Sequence, residues 1–206
     1  MARIGGAIDR LHVAGRDNHV PGIDSARAEA AVAELLEALG VDLDSDGLVE
    51  TPRRVTDMLS ELLTPQPFRP TTFPNDGDYD EMVIARDIPF VSLCEHHLLP
   101  FHGVAHVGYI PGSRIIGLSK LARLVEYYSR SLQIQERLTK QIADWLQDEL
   151  DPKGVGVVLE AEHQCMTIRG VQATGSRTVT STIYGHLRSN AAAREEFFTL
   201  ARRSAV

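Results

Sequence analysis

The amino-acid sequence predicts an α+β fold with an antiparallel sheet, and three observations carry that prediction. Two segments of helical period come first; short segments rich in Val, Ile and Phe follow; two more helical segments then separate these from a second group of strand-like segments, before a last helix.

Taken in order, residues 1–23 show no sustained period and end at the turn signal Pro21-Gly22, which predicts a flexible N-terminal arm. From Asp24 or Ser25, either a good N-cap, SARAEAAVAELLEALG sets Val32, Leu35, Leu36 and Leu39 on one stripe and stops at Gly40. A second helix is expected to start at Thr51 as cap with Pro52 in its first turn, and Val55, Met58, Leu59 and Leu62 continue its apolar face. The stretch TPQPFRPTTFPNDGDYDE holds four prolines and reads as a long surface connection. Beyond it MVIAR, PFVSLC, GVAHVGYI and RIIGL read as separate strands. Ser119 is expected to cap a helix with Leu121, Leu124, Val125 and Tyr128 on one face, and a second helix repeats the pattern with Ile134, Leu138, Ile142 and Trp145. Both should lie across the sheet. GVGVVLEAEH and SRTVTSTIYGHL return to strand character, and NAAAREEFFTLARR closes the chain as a helix. The chain thus divides into an arm (1–23), a helical region with its linker (24–81) and a main body (82–206).

The 206 residues, 43% hydrophobic, suffice to bury a core without disulfides or structural metal. A net charge of −7, from 28 acidic against 21 basic residues, argues against a surface made mainly to grip nucleic acid or anionic lipid. Any polyanionic ligand must then meet a local basic pocket. Two cysteines are too few for a disulfide scaffold, and MARIGGAIDR lacks the basic and apolar regions of a secretion signal, so a cytoplasmic protein with reduced thiols is expected. No apolar run approaches the roughly 18 to 20 residues that span a bilayer.

Both cysteines stand beside histidines, in Cys94-Glu95-His96-His97 and in His163-Gln164-Cys165. Three of the eight histidines and both cysteines thus share seven positions. Zinc favours thiolate and imidazole ligands, and a C-x-x-H spacing lets a tight turn aim both side chains at one ion. Cys94, His97 and Cys165 would leave the fourth tetrahedral position to water, as in a catalytic zinc site, with His96 and His163 as nearby acid–base groups. A strand through residues 163–165 would point His163 and Cys165 to one face. The alternative makes His163 or His96 a fourth ligand and closes the site.

Gly117-Leu118-Ser119-Lys120-Leu121-Ala122-Arg123 opens a helix with a hydroxyl and two cations one turn apart, an arrangement suited to a phosphate or to ordinary solvated charge. Arg169 and Arg54 could add to the same pocket. In Gln135-Glu136-Arg137 a carboxylate could accept from a guanine-type N–H and amino pair, or simply favour the helix dipole.

From Asp24 to the C-terminus, ETPRRV, SLCEHHLLPFHG, VGYIPGSRIIGLSKLARLVE, QIQERLT, EHQCMTIRGVQ and TVTSTIYG occur in the order that resembles GTP cyclohydrolase I. The resemblance implies the tunnelling fold, in which antiparallel sheets of several subunits close into a barrel with active sites at subunit interfaces, and a homodecamer. It implies Cys94, His97 and Cys165 as ligands of Zn2+, His163 as the group protonating N7 of GTP, and His96 as its helper. Ser119 would stand near the ribose, Lys120, Arg123 and Arg169 would clamp the triphosphate, and Glu136 with Gln135 beside it would read the guanine. The product would be 7,8-dihydroneopterin triphosphate, formed with release of formate. The sequence departs from the family pattern in the second helix, where Asp57 stands three residues after Arg54 in place of a Lys, and Leu59 in place of an aromatic. That departure weakens a contact between this helix and the triphosphate, and it leaves open a paralogue that stops at the formamidopyrimidine or takes a modified purine nucleotide.

Overall fold

The computed structural model describes residues 22–202. Of the arm expected over residues 1–23, all but the last two positions lie outside the described residues.

Helix α1 spans Ser25–Ala38, with Asp24 as N-cap accepting from the Arg27 N–H at 3.1 Å. It ends ahead of Gly40, whose φ of +81° suits a residue without Cβ. The α1 stripe forms, yet this helix buries no residue, and Leu35 and Leu39 are 58% and 70% exposed. Helix α2 spans Thr51–Leu63. Thr51, expected as the cap, is already helical; Glu50 holds the cap position and turns its carboxylate onto Arg53 instead of the helix end.

The proline-rich stretch is more than a connection. Phe68 is buried, edge-on to Trp145 at 5.2 Å, and Thr72–Pro74 forms β1, paired antiparallel with β4 at Arg114–Ile116. The segments MVIAR and PFVSLC join into one strand, β2 at Val83–Cys94, interrupted by an irregularity between Ala85 and Ile88 where Asp87 takes a φ of +54°. That bulge interrupts the strand alternation, which is why one strand carries two separate apolar segments. Strand β3 covers Pro100–Ile110, β5 only Leu132–Gln133, β6 Gly154–His163 and β7 Thr178–Gly185. The sheet runs β5-β2-β3-β6-β7, antiparallel throughout except for the short parallel pairing of β5 with β2.

Helices α3 (Leu118–Ser129) and α4 (Gln135–Leu150) cover one face. The expected stripes are buried: Leu121, Leu124 and Val125 on α3, Leu138 and Ile142 on α4. Each such side chain, moved from water to the core, contributes roughly 2 kcal/mol before entropy is counted. Ser119 does not cap α3, because Gly117 stands at that position and makes no side-chain bond. A short turn of helix, α5 at Gln164–Thr167, follows β6, and α6 (His186–Ser189) leads into α7 (Ala191–Ala201).

Alternation along β3 and β6 sends Ala105, Val107, Val155 and Val157 toward α3 and α4, and Ile110 and Val158 toward α7. Gly108 and Gly156 face each other across the β3–β6 ladder, and the Phe197 ring occupies the space where their Cβ atoms would stand. No helix among the described residues is long and apolar enough to cross a membrane.

Candidate metal centre

The β2–β3 connection is built to bring two ligands together. Cys94 ends β2, its carbonyl accepts from the N–H groups of His97 and Leu98 at 3.3 and 2.9 Å, and its own N–H donates to Leu99. Leu98 takes a positive φ of +54°, which lets the chain reverse within four residues. The C-x-x-H spacing therefore folds His97 back over Cys94, with Nδ1 4.0 Å from Sγ. His96 Nδ1 lies 3.7 Å from the same sulfur while most of its ring remains in solvent.

The third potential ligand, and the second thiol, follows β6. Cys165 lies in α5 and not on the strand, so His163 and Cys165 are placed by the strand-to-helix junction and not by alternation. The potential ligand atoms of Cys94, His97 and Cys165 all lie within 4.8 Å of one another. A tetrahedral zinc with bonds of about 2.0 to 2.3 Å sets such atoms roughly 3.5 to 3.8 Å apart, so the group fits after a small contraction. Burial, and then the neighbouring Cys94, push the Cys165 thiol up, whereas Arg169 pulls the other way. That cation therefore stands close to the centre.

His163 ends β6 opposite Phe101 of β3, and their rings stack in parallel at 4.6 Å. Its Nε2 is 2.7 Å from Gln135 Oε1. The Gln135 Nε2 faces the carbonyls of Leu159 and Thr178 and the Thr180 hydroxyl, so Oε1 is the acceptor and His163 carries its proton on Nε2. Gln135 is 2% exposed and its amide is fully engaged inside the protein. Burial lowers the His163 pKa, and Glu136, exposed on the next residue of α4, opposes that shift. Gln135, Glu136 and Arg169 thus lie near His163 or Cys165.

Ser119, Lys120 and Arg123 do not. They occupy the first turns of α3, and the other end of that helix leads through Ser131, whose carbonyl accepts from Ser92, to β5 beside Cys94. At 1.5 Å per residue, Lys120 is about 14 Å along the axis from Ser129. Arg123 lines a groove of about 460 Å³ beside β2 with Ile88, Phe90 and Arg130, and no member of the three-ligand group lines it. On α2, Arg53 bridges Glu50 and Asp57 at 2.6 and 3.0 Å, and Arg54 is exposed.

Sequence reasoning did not find Phe101 or Gln133, nor the partners of Glu95 and Arg137. A buried ring stacked on a histidine leaves no periodic signal, and a two-residue strand is too short to show alternation.

Fold and site define an α+β protein with a Cys2His group suited to one metal ion at the end of its antiparallel sheet. Comparison with known proteins narrows this class. The family model described as GTP cyclohydrolase I matches residues 28–202. GTP cyclohydrolase 1 of Mycobacterium tuberculosis is 55% identical over 184 residues, covering 86% of this chain and 90% of that protein. GTP cyclohydrolase 1 of Thermobifida fusca is 52% identical over 184 residues, covering 87% and 89%. A crystal structure of the archaeosine synthase QueF-Like in the apo form aligns with 52% of this chain and 94% of its own, at 15% identity and a TM-score of 0.40. The chain belongs to the GTP cyclohydrolase I family.

Proposed function

We propose that this chain opens the imidazole ring of GTP by two hydrolytic C–N cleavages, releases C8 as formate and forms 7,8-dihydroneopterin triphosphate, the first step of pterin and folate biosynthesis. The observation that carries this reading is the convergence of Cys94, His97 and Cys165 beside His163 in a member of this family. Cys94, His97 and Cys165 would hold Zn2+, which supplies Lewis acidity and brings the pKa of an attacking water toward neutrality. His163, with Nε2–H committed to Gln135, takes a proton at Nδ1 and passes it to N7 of the purine; its lowered pKa makes it a willing donor once charged. His96, exposed beside the turn, relays protons to solvent.

Glu136 accepts from the guanine N–H and amino group, while Gln135 acts on His163. Arg169 meets the triphosphate from the metal side. Ser119, near the ribose, and Lys120 and Arg123, on the triphosphate, come from a neighbouring copy of the chain. Among the described residues, the outer edge of β7 pairs with no strand and β5 covers the outer edge of β2 only at Leu93 and Cys94, which supports closure of several sheets into one barrel, a homodecamer in this reading. Within it residues 82–206 form the catalytic body and 24–81 the helical region and linker. Two reduced thiols at the centre suit the cytoplasm.

Incubation of the zinc-loaded protein with GTP is expected to release one formate per GTP and give a product that fluoresces after oxidation, both abolished by a chelator. Absence of formate from zinc-loaded protein would reject the reading. The engagement of Asp57 with Arg53, where the family pattern has a cation, supports a second reading, a paralogue stopping at the formamidopyrimidine. The product mass decides between them.

A further inference from the structure

We propose that Arg137 is a positioning residue for the metal centre, holding the Cys94–His97 turn in its ligating shape through Glu95. This rests on the metal reading given above. Arg137 lies in the first turn of α4, and its guanidinium reaches three acceptors at once: Nε donates to Gln133 Oε1 at 2.9 Å, and Nη2 donates to the Leu132 carbonyl at 2.9 Å and to Glu95 Oε2. Two of these acceptors belong to β5, and the third belongs to the residue that follows the first ligand.

The anchor on the β5 side is rigid. Gln133 is buried, and its amide nitrogen donates to the Tyr128 carbonyl at 3.0 Å and to Gln141 Oε1 at 2.8 Å, which fixes Oε1 toward Arg137. The Gln133 backbone pairs with Cys94, and its carbonyl accepts from the Glu95 N–H at 3.0 Å. The turn on the other side is not packed: residues 95–98 are all exposed. Among the described residues, the Glu95–Arg137 pair is the one ion pair that ties this turn to a helix.

A short peptide turn carrying two of three ligands gains affinity by being held in place before the metal arrives. An arginine suits the task because its planar fork meets several fixed acceptors in one geometry, which a lysine ammonium on a flexible stem does not reproduce. The pair is half in solvent, so its effect falls on the order of the turn and not on the stability of the fold.

The test is zinc release from the full-length protein to a chromophoric chelator, alongside thermal melting of the metal-free form. Arg137→Met and Glu95→Gln are each expected to bind zinc about tenfold more weakly than wild type, with unchanged melting; Arg137→Lys should fall between. The double variant should be no weaker than either single variant, because both break one clamp. Wild-type affinity in both Arg137→Met and Glu95→Gln would overturn the inference while leaving the zinc reading intact. A wild-type protein that retains no zinc would overturn both. Should Arg137→Met fail to fold, Glu95→Gln, a change at an exposed side chain of equal size, decides alone.

Discussion

The two halves of the candidate site are built differently. The metal half is assembled within one chain: strand ends, a tight turn and a buried glutamine place Cys94, His97, Cys165 and His163 together. The proposed cation half, Lys120 and Arg123, sits on the first turns of α3, and the groove beside Arg123 opens along a strand edge that is largely unpaired among the described residues. The helical pairs show the same contrast. The stripes of α3 and α4 are buried in the core, whereas that of α1 leaves Leu35 and Leu39 in solvent and Val32 and Leu36 only half-buried. An apolar or cationic pattern is therefore not evidence of a partner within the same chain. It states that a partner is needed, and the fold decides whether the chain supplies it.

If the halves are independent in this way, substitutions should separate them. The largest effect is expected from Cys165→Ala, which should lose stoichiometric zinc and formate release together, since a catalytic metal site with two protein ligands holds neither the ion nor its geometry. Metal analysis with the formate assay checks this, and retained zinc with full turnover would break the metal half of the comparison. Lys120→Ala should raise the KM for GTP by about 10- to 100-fold, the loss of a charge-assisted hydrogen bond, while zinc content stays at the wild-type level. A change in zinc content in that variant would show the halves to be coupled.

The smallest effect concerns pH. The Cys165 thiol is raised by burial and by Cys94, so the folded metal-free chain binds its proton more tightly than the unfolded chain does. That contribution is fully present below the unfolded thiol value of about 8.5 and is lost as pH rises through the folded one. Melting temperatures of the metal-free protein should decline slightly in that window, and those of the zinc-loaded protein, whose thiols are already deprotonated, should not.

The parts of this molecule legible in its sequence were those written in rare residues or long periods. Cys94, His97 and Cys165 stood out because few residue types bind zinc and two clusters held them. The α3 and α4 stripes stood out because several turns repeat them. Short elements and local competition were not legible. β1 and β5 are too brief to alternate, and the Asp87 bulge divided β2 into two apparent strands. Ser119 and Thr51 looked like caps by residue type, yet Gly117 and Glu50 hold those positions. Nor could the sequence show that Gln135 turns inward to His163 while its neighbour Glu136 faces solvent, because that division depends on where β6 and β7 pass.

The central claim, one site made from two chains, is tested most directly by complementation. Cys165→Ala supplies an intact cation half and Lys120→Ala an intact metal half, each with impaired turnover at low GTP. Mixed oligomers formed by co-expressing the two in equal amounts should place both intact halves together in about a quarter of the sites. Recovery of about a quarter of wild-type formate release at low GTP is the predicted result, and activity no greater than the sum of the separate variants would contradict the account.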